Sequence, residues 1–73
     1  VNGGIVKLHN RLRVLRAEKA ISQQVLADEV GISRQTVNSI EGGKFNPSVT
    51  TALKMARYFG VSVEDAFQLT EEE

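Results

Sequence analysis

The sequence predicts an all-α domain of five short helices, with its two ends suggested to pair as a small antiparallel ribbon. Two kinds of punctuation and one periodicity lead there. Ser22, Ser33, Ser48 and Ser62 each precede a stretch with helical apolar spacing, as N-caps do. Gly31, Gly43 and Gly60 each follow such a stretch, as glycines at helix C-termini do. Between these marks the apolar residues recur at intervals of three and four.

Taken in order, the first helix covers about residues 11–19, with Leu12 and Leu15 inward and Asn10 as candidate cap. Val14 on the same helix is apolar without an evident partner, and the C-terminal tail is a candidate cover. The second helix covers about residues 23–30 and buries Leu26, Ala27 and Val30. The third covers about 34–41, anchored by Val37 and Ile40. The fourth covers about 49–59, with Ala52, Leu53, Ala56 and Phe59 at helical spacing. The fifth is short, about 63–67, opened by Ser62 and Asp65 at the spacing of a capping box. The ends are more ambiguous. Val6-Lys7-Leu8-His9 and Phe67-Gln68-Leu69-Thr70 each alternate apolar and polar, a minimal strand signal, which suggests the ribbon. The alternative is a first helix that begins near Lys7 and a tail that frays. Residues 1–4 are set aside as a flexible lead-in, residues 5–70 form the domain, and residues 71–73 are an acidic tail.

With 73 residues there is room for one small domain, burying only about 60% of its unfolded surface. The absence of cysteine excludes disulfides and thiolate metal sites. His9 is the single histidine, so no histidine cluster is available for a metal, and neither metal nor cofactor is expected. No convergent acid pair suggests catalysis, and Glu41-Gly42-Gly43-Lys44 lacks the spacing of a phosphate-binding P-loop. The chain is therefore not expected to be an enzyme. No apolar run approaches a membrane span and no signal-peptide pattern opens the chain, so a cytoplasmic location is expected. Formal net charge is zero, but residues 1–41 carry six Lys/Arg against four acids and residues 42–73 carry three against five. A solvated acidic tail accounts for that asymmetry as well as an anionic partner does.

Residues 23–42 form one unit. Ala27 follows Gln23 by four, Gly31 follows by four more, then Val37 by six and Ile40 by three. This is the arrangement of a helix-turn-helix. Ala27 is small so that the third helix can cross close above it. Gly31 occupies a turn where a positive φ is expected and a Cβ would strain. Val30 and Ile32 pack around the turn. What remains of the third helix is polar: Arg34, Gln35, Thr36, Asn38 and Ser39. Alone, such a face is more often simply solvated; within this frame it is a candidate reading edge. Arg pairs two donors with guanine O6 and N7, Gln pairs with adenine N6 and N7, and Thr36 can offer a methyl to thymine.

The run SQQVLADEVGISRQTVNSIEGGKFNP resembles the lambda-repressor/Cro-like helix-turn-helix family, also called the XRE family, and ARYFGVSVEDAF is similar to its fourth-to-fifth helix segment. The similarity extends over about residues 12–67. It implies a compact five-helix lambda-repressor-like domain that binds double-stranded DNA, commonly as a homodimer on a two-fold-related operator. It also implies roles. Gln23 matches a position that contacts DNA phosphate, together with the backbone N–H groups beside it. Arg34 and Gln35, with Asn38 and Ser39, match base-reading positions. Lys44 and Asn46 match positions that hold the DNA backbone. Arg16 and Glu41 match a partly buried salt bridge between the first and third helices. The chain departs from the pattern at Gly42, where Asn is frequent, which puts the geometry of that loop in doubt. Apolar residues between 58 and 69 exceed what one small core needs, so Tyr58, Val61, Phe67 and Leu69 are candidate dimer contacts. Two other readings share the scaffold: a DNA-binding antitoxin paired with a toxin, and a pure protein-interaction module.

Overall fold

The structure, a computed structural model, describes residues 5–72. The expected lead-in at residues 1–4 lies outside the described residues, as does Glu73. The order is β1 (Ile5–Asn10), α1 (Leu12–Lys19), α2 (Gln23–Val30), α3 (Arg34–Glu41), α4 (Val49–Phe59), α5 (Val63–Ala66) and β2 (Phe67–Glu72). Each of α2, α3, α4 and α5 begins where a serine accepts a backbone N–H three residues on: Ser22 from Val25, Ser33 from Thr36, Ser48 from Thr51 and Ser62 from Asp65. Each such cap contributes about 1 kcal/mol.

α1 is capped differently. Its N-cap position is Arg11, whose side chain makes no capping bond. Asn10, the last residue of β1, supplies the oxygen instead and accepts from Leu12 N at 3.1 Å. At its other end α1 closes on Ala20, a left-handed residue with φ 58°. Ile21 N reaches back to the Arg16 carbonyl at 3.1 Å, and Ile32 N closes α2 in the same way on Ala27 O at 3.0 Å. In α2 the left-handed position is Gly31, with φ 79°, which takes this conformation without a Cβ penalty; Ala20 bears that penalty. The variant Ala20→Gly is expected to raise stability by about 0.5–1 kcal/mol, read as a higher urea midpoint at unchanged slope.

β1 and β2 pair antiparallel from Ile5↔Glu72 to Asn10↔Phe67, so the two ends form the ribbon rather than an extended first helix. α5 stops at Ala66, one residue short of the expected end at Phe67, and β2 begins at Phe67. It also runs on through Glu71 and Glu72, past the expected domain boundary at residue 70. Asn10 Nδ2 donates to Ile40 O at 2.9 Å and Gln68 Nε2 to Glu64 O and Asp65 O at 2.9 and 2.8 Å, which fastens the ribbon to α3 and α5, while just past β1 Arg11 N donates to Ala66 O at 2.9 Å.

The core is assembled from Leu12, Leu15, Leu26, Ala27, Val30, Val37, Ile40, Met55, Ala66 and Phe67. The face of α4 differs from the sequence reading in one residue. Leu53 is 53% exposed, and Met55 is fully buried in its place. At about 100° per residue, positions 52, 55, 56 and 59 fall within a sector of about 100°, while position 53 lies about 60° beyond its edge. Leu53 is apolar but on the wrong side. Val14 stays 46% exposed, so the tail does not cover it.

Candidate nucleic-acid interface

The third helix is fixed to the body through two side chains. Val37 is fully buried and Ile40 is 2% exposed, with Ala27 of α2 fully buried beside them. The remaining positions divide by angle. Gln35 and Asn38 are exposed and Ser39 half-buried on the side opposite Val37 and Ile40, and Arg34, also exposed, flanks that side next to Glu41. Thr36 and Glu41 lie at the two borders of the buried stripe and are half-buried. Thr36 Oγ1 is 2.8 Å from the Ser33 cap hydroxyl, so its hydroxyl is engaged within the helix start.

Glu41 is where three elements meet. Its side chain is 1% exposed. Arg16 of α1 grips it with two donors, Nε to Oε2 and Nη2 to Oε1 at 3.0 Å, while Arg16 Nη1 donates to Ile21 O at 3.1 Å. Gln23 Nε2, at the start of α2, donates to Glu41 Oε1 at 3.1 Å and to Asn38 Oδ1 at 3.1 Å. Arg16 and Glu41 thus pin α1 to α3, and Gln23 ties α2 to the polar face of α3. Burial acts to raise the Glu41 carboxyl pKa. The hydrogen bonds from Arg16 and Gln23, with the positive charges of Arg16 and Arg13, outweigh it and hold the pKa below the ordinary carboxylate value. The Arg16 pKa is raised, chiefly by its hydrogen bond to Glu41.

A depressed folded-state pKa means that the unfolded chain binds the extra proton first as pH falls. The contribution of Glu41 to stability is therefore complete above the unfolded value of about 4.3 and is lost as pH drops through the lower folded value. Urea midpoints across this acid range are expected to fall for the native chain. Replacing Glu41 with Gln should remove that part of the fall, and an unchanged slope in the variant would contradict the assignment.

Because both hydrogens of the Gln23 amide are used within the protein, its side chain is not presented outward as a donor. Ser22 takes the Val25 N–H at 3.1 Å and the Leu26 N–H at 3.2 Å, and the N–H groups of Gln23 and Gln24 lie at the helix start beyond the internal ladder. After α3 the chain turns through Gly42 and Gly43. Gly42 has an ordinary right-handed backbone, φ −81°, and a Cβ there would meet Asn38 O only at 3.4 Å. The left-handed residue is Gly43, φ 76°. Gly42 N to Asn38 O, Gly43 N to Ile40 O and Lys44 N to Ser39 O, all 2.9–3.0 Å, hold the turn firmly in spite of the departure at Gly42. Lys44 and Asn46 are exposed.

An open groove brings Gln35, Thr36, Ser39 and Lys44 together with Ser33 and Phe45. Arg34 and Asn38 lie outside its lining, and Asn38 is bonded to Gln23. Phe45, 55% exposed, is a residue the sequence reading did not single out; an aromatic directly after Gly-Lys was the available signal. Arg13 is a second. It is 74% exposed at the side chain and 3.9 Å from a carboxylate already neutralised by Arg16. Its position one helical turn before Arg16 was the available signal.

The candidate dimer residues separate. Phe67 is 8% exposed and belongs to the core of its own chain. Tyr58 and Val61 are half-buried; the Tyr58 ring stands edge-on to Phe59 at 5.3 Å, and Lys19 Nζ lies 5.1 Å from its centre. Leu69 is 70% exposed. With Val63, Glu64, Phe67 and Gln68 it borders a mainly apolar hollow. Among the described residues no group of His, Asp and Glu side chains could hold a metal ion, and no helix is long and apolar enough to cross a membrane.

Known proteins share this arrangement. The helix-turn-helix family profile HTH_3 matches residues 12–65. An uncharacterised HTH-type transcriptional regulator of Methanocaldococcus jannaschii is 42% identical over 66 residues, covering 90% of this chain and all of the relative. The uncharacterised HTH-type transcriptional regulator YgzD of Bacillus subtilis is 43% identical over 65 residues, covering 89% of this chain and 98% of its own. Among solved structures, the restriction-modification controller protein C.AhdI of Aeromonas hydrophila superposes with a TM-score of 0.69 at 35% identity, covering 74% of this chain and 82% of that one. The P22 c2 repressor shares the fold, with a TM-score of 0.71 at 24% identity over 74% of this chain and 82% of its own. The chain belongs to the helix-turn-helix family of the lambda-repressor/Cro (XRE) type and is a DNA-binding transcriptional regulator.

Proposed function

We propose that the protein is a repressor that binds a two-fold-related operator as a homodimer and blocks transcription by occupying the site. The observation that carries this reading is the division of α3: Val37 and Ile40 lock it down while Arg34, Gln35, Asn38 and Ser39 face away from the body. Arg34 and Gln35 read bases, Asn38 and Ser39 extend the reading edge, and Thr36, its hydroxyl held by Ser33, turns its methyl to thymine. Phosphates are held by Lys44 and Asn46 on one flank and by the backbone N–H of Gln23 on the other, which moves the Gln23 contact from side chain to backbone. Arg13 and Phe45 border the same surface.

In the dimer, the two α3 helices enter successive major grooves about 34–36 Å apart. The ribbon supports pairing of two copies. In its register Val6 faces Glu71, Leu8 faces Leu69 and Asn10 faces Phe67, all on one side. Val6 is 57% and Leu69 70% exposed there, so an apolar strip continues outward from the core. Binding-site selection from random duplex DNA, repeated across salt, tests the whole reading. The expected result is a two-fold-related consensus whose affinity falls steeply with salt. No enrichment at low salt would overturn DNA recognition. Sedimentation showing only single copies on the selected operator would overturn the dimer alone.

A further inference from the structure

Of the three phenylalanines, Phe67 belongs to the core and Phe59 packs against it, whereas Phe45 stands 55% exposed. Its place is set by the backbone on either side. Behind it, Lys44 N donates to Ser39 O at 2.9 Å, which ties the loop back to α3. Ahead of it, Pro47 has a fixed φ and disfavours helical backbone at Asn46. Ser48 then caps α4 by accepting Thr51 N at 3.1 Å. The ring is therefore carried by a braced segment between two helix ends. It lines the open groove together with Gln35, Thr36, Ser39 and Lys44, and supplies that groove with its aromatic wall.

Hydroxyls, an amide and a cation are well served by water, but a phenyl ring gains by being covered. The neighbours indicate the cover. Gln35 and Ser39 lie on the side of α3 opposite its buried stripe, so a base edge that meets them in this groove meets the ring as well. In the major groove the base edges expose donors, acceptors and one apolar group, the C5-methyl of thymine. We propose that Phe45 covers a thymine methyl and so selects a T·A pair at the operator position it faces. Sugar carbons are the competing apolar surface, but every nucleotide carries them and contact there brings no sequence choice. The ring's place beside Gln35 and Ser39, rather than beside Lys44 alone, favours the methyl. Phe45 is then a specificity-determining residue outside the third helix. The inference rests on the DNA-reading role of α3 and adds one base preference to it.

The test separates the methyl from the rest of the base. Selection from random duplex DNA with the native protein gives the operator, and each of its thymines is then replaced by uracil, which removes the C5-methyl and nothing else. One thymine in each half-site is expected to show a loss of about 4-fold, and about 15-fold when both are replaced, the effect of one buried methyl and of two. That loss should vanish in Phe45→Ala and persist in Thr36→Ser, which lacks only the Thr36 methyl. Cytosine placed at the same position should bind about 4-fold more tightly when methylated at C5, again only with Phe45 present. Circular dichroism checks that the variants are folded, and the uracil series on the native protein needs no variant at all. A native protein that tolerates uracil at every thymine overturns the inference. So does a uracil effect that survives Phe45→Ala, or one that disappears in Thr36→Ser. Equal weakening of Phe45→Ala on operator and on unrelated duplex would place the ring on the sugars and overturn it too. In each of these cases a loss of operator affinity in Arg34→Ala would leave base reading by α3 standing. Absence of any native consensus would overturn both.

Discussion

Glu41→Ala is expected to lower the melting temperature by more than about 12 °C and to leave much of the population unfolded near 37 °C. The carboxylate is 1% exposed and, among the described residues, is the one acid paired with the Arg16 guanidinium, whose side chain is 16% exposed. Removing it strands a half-buried cation and leaves a Gln23 hydrogen without its acceptor. Breaking a buried pair in this way costs about 3–5 kcal/mol. A domain of this length has only about 4–11 kcal/mol in total, and each kcal/mol is worth about 4–8 °C. Removing both charges together should be less harmful than removing one. The double variant Arg16→Met/Glu41→Leu is expected to melt above either single alanine variant, because no charge is left buried alone. Thermal melts followed by circular dichroism decide the matter; a Glu41→Ala melt within a few degrees of the native chain would show that the pair is not a structural anchor.

Arg34→Ala, by contrast, should leave the fold intact and cost the protein its operator. Arg34 is exposed at the first turn of α3, where a cation sits against the positive end of the helix dipole, so its loss is neutral or slightly favourable for stability. A bidentate base contact discriminates by about 1–3 kcal/mol, and the proposed homodimer would make each contact twice, so about 2–6 kcal/mol is at stake. Affinity for the selected operator should fall at least about 30-fold. Gln35→Ala should act in the same range. Both variants should keep their weak, salt-sensitive binding to unrelated duplex DNA, because the phosphate contacts remain. Fluorescence anisotropy on operator and on scrambled duplex separates the two quantities. Equal affinity of the native and Arg34→Ala proteins for the operator would mean that the face is merely solvated, and the protein-interaction reading would gain by it.

The helix boundaries were legible because they are written in single residues. Four serines mark starts with their own side chains, and Gly31 and Gly60 mark ends where the backbone turns left-handed. Ala20 has the same turn without the glycine, so nothing in the residue type announced it. Val37, Ile40, Ala27 and Gly31 were legible because the crossing of α2 and α3 restricts size at fixed spacing. Leu53 was misplaced because hydrophobicity names a preference for burial but not a side of the helix. The link from Gln23 to Asn38 was invisible for a different reason. It spans 15 positions and depends on how two helices cross, which no local pattern encodes. Phe45 and Arg13 were passed over because an exposed aromatic and a second arginine near a paired one carry no spacing rule.

The ribbon has a consequence for the order in which the molecule assembles. Its strands lie at opposite ends of the described chain, so their pairing closes the largest loop in the fold, whereas each helix closes only local ones. Local contacts form early and long-range pairing late, which places the ribbon last in folding and first in opening. Its final residue, Asn10, holds the Ile40 carbonyl at the end of α3. Each opening of the strand pair that reaches Asn10 therefore releases one restraint on the C-terminal turn of α3. Opening of the ribbon and mobility of the proposed DNA surface are in this way coupled through a single side-chain amide.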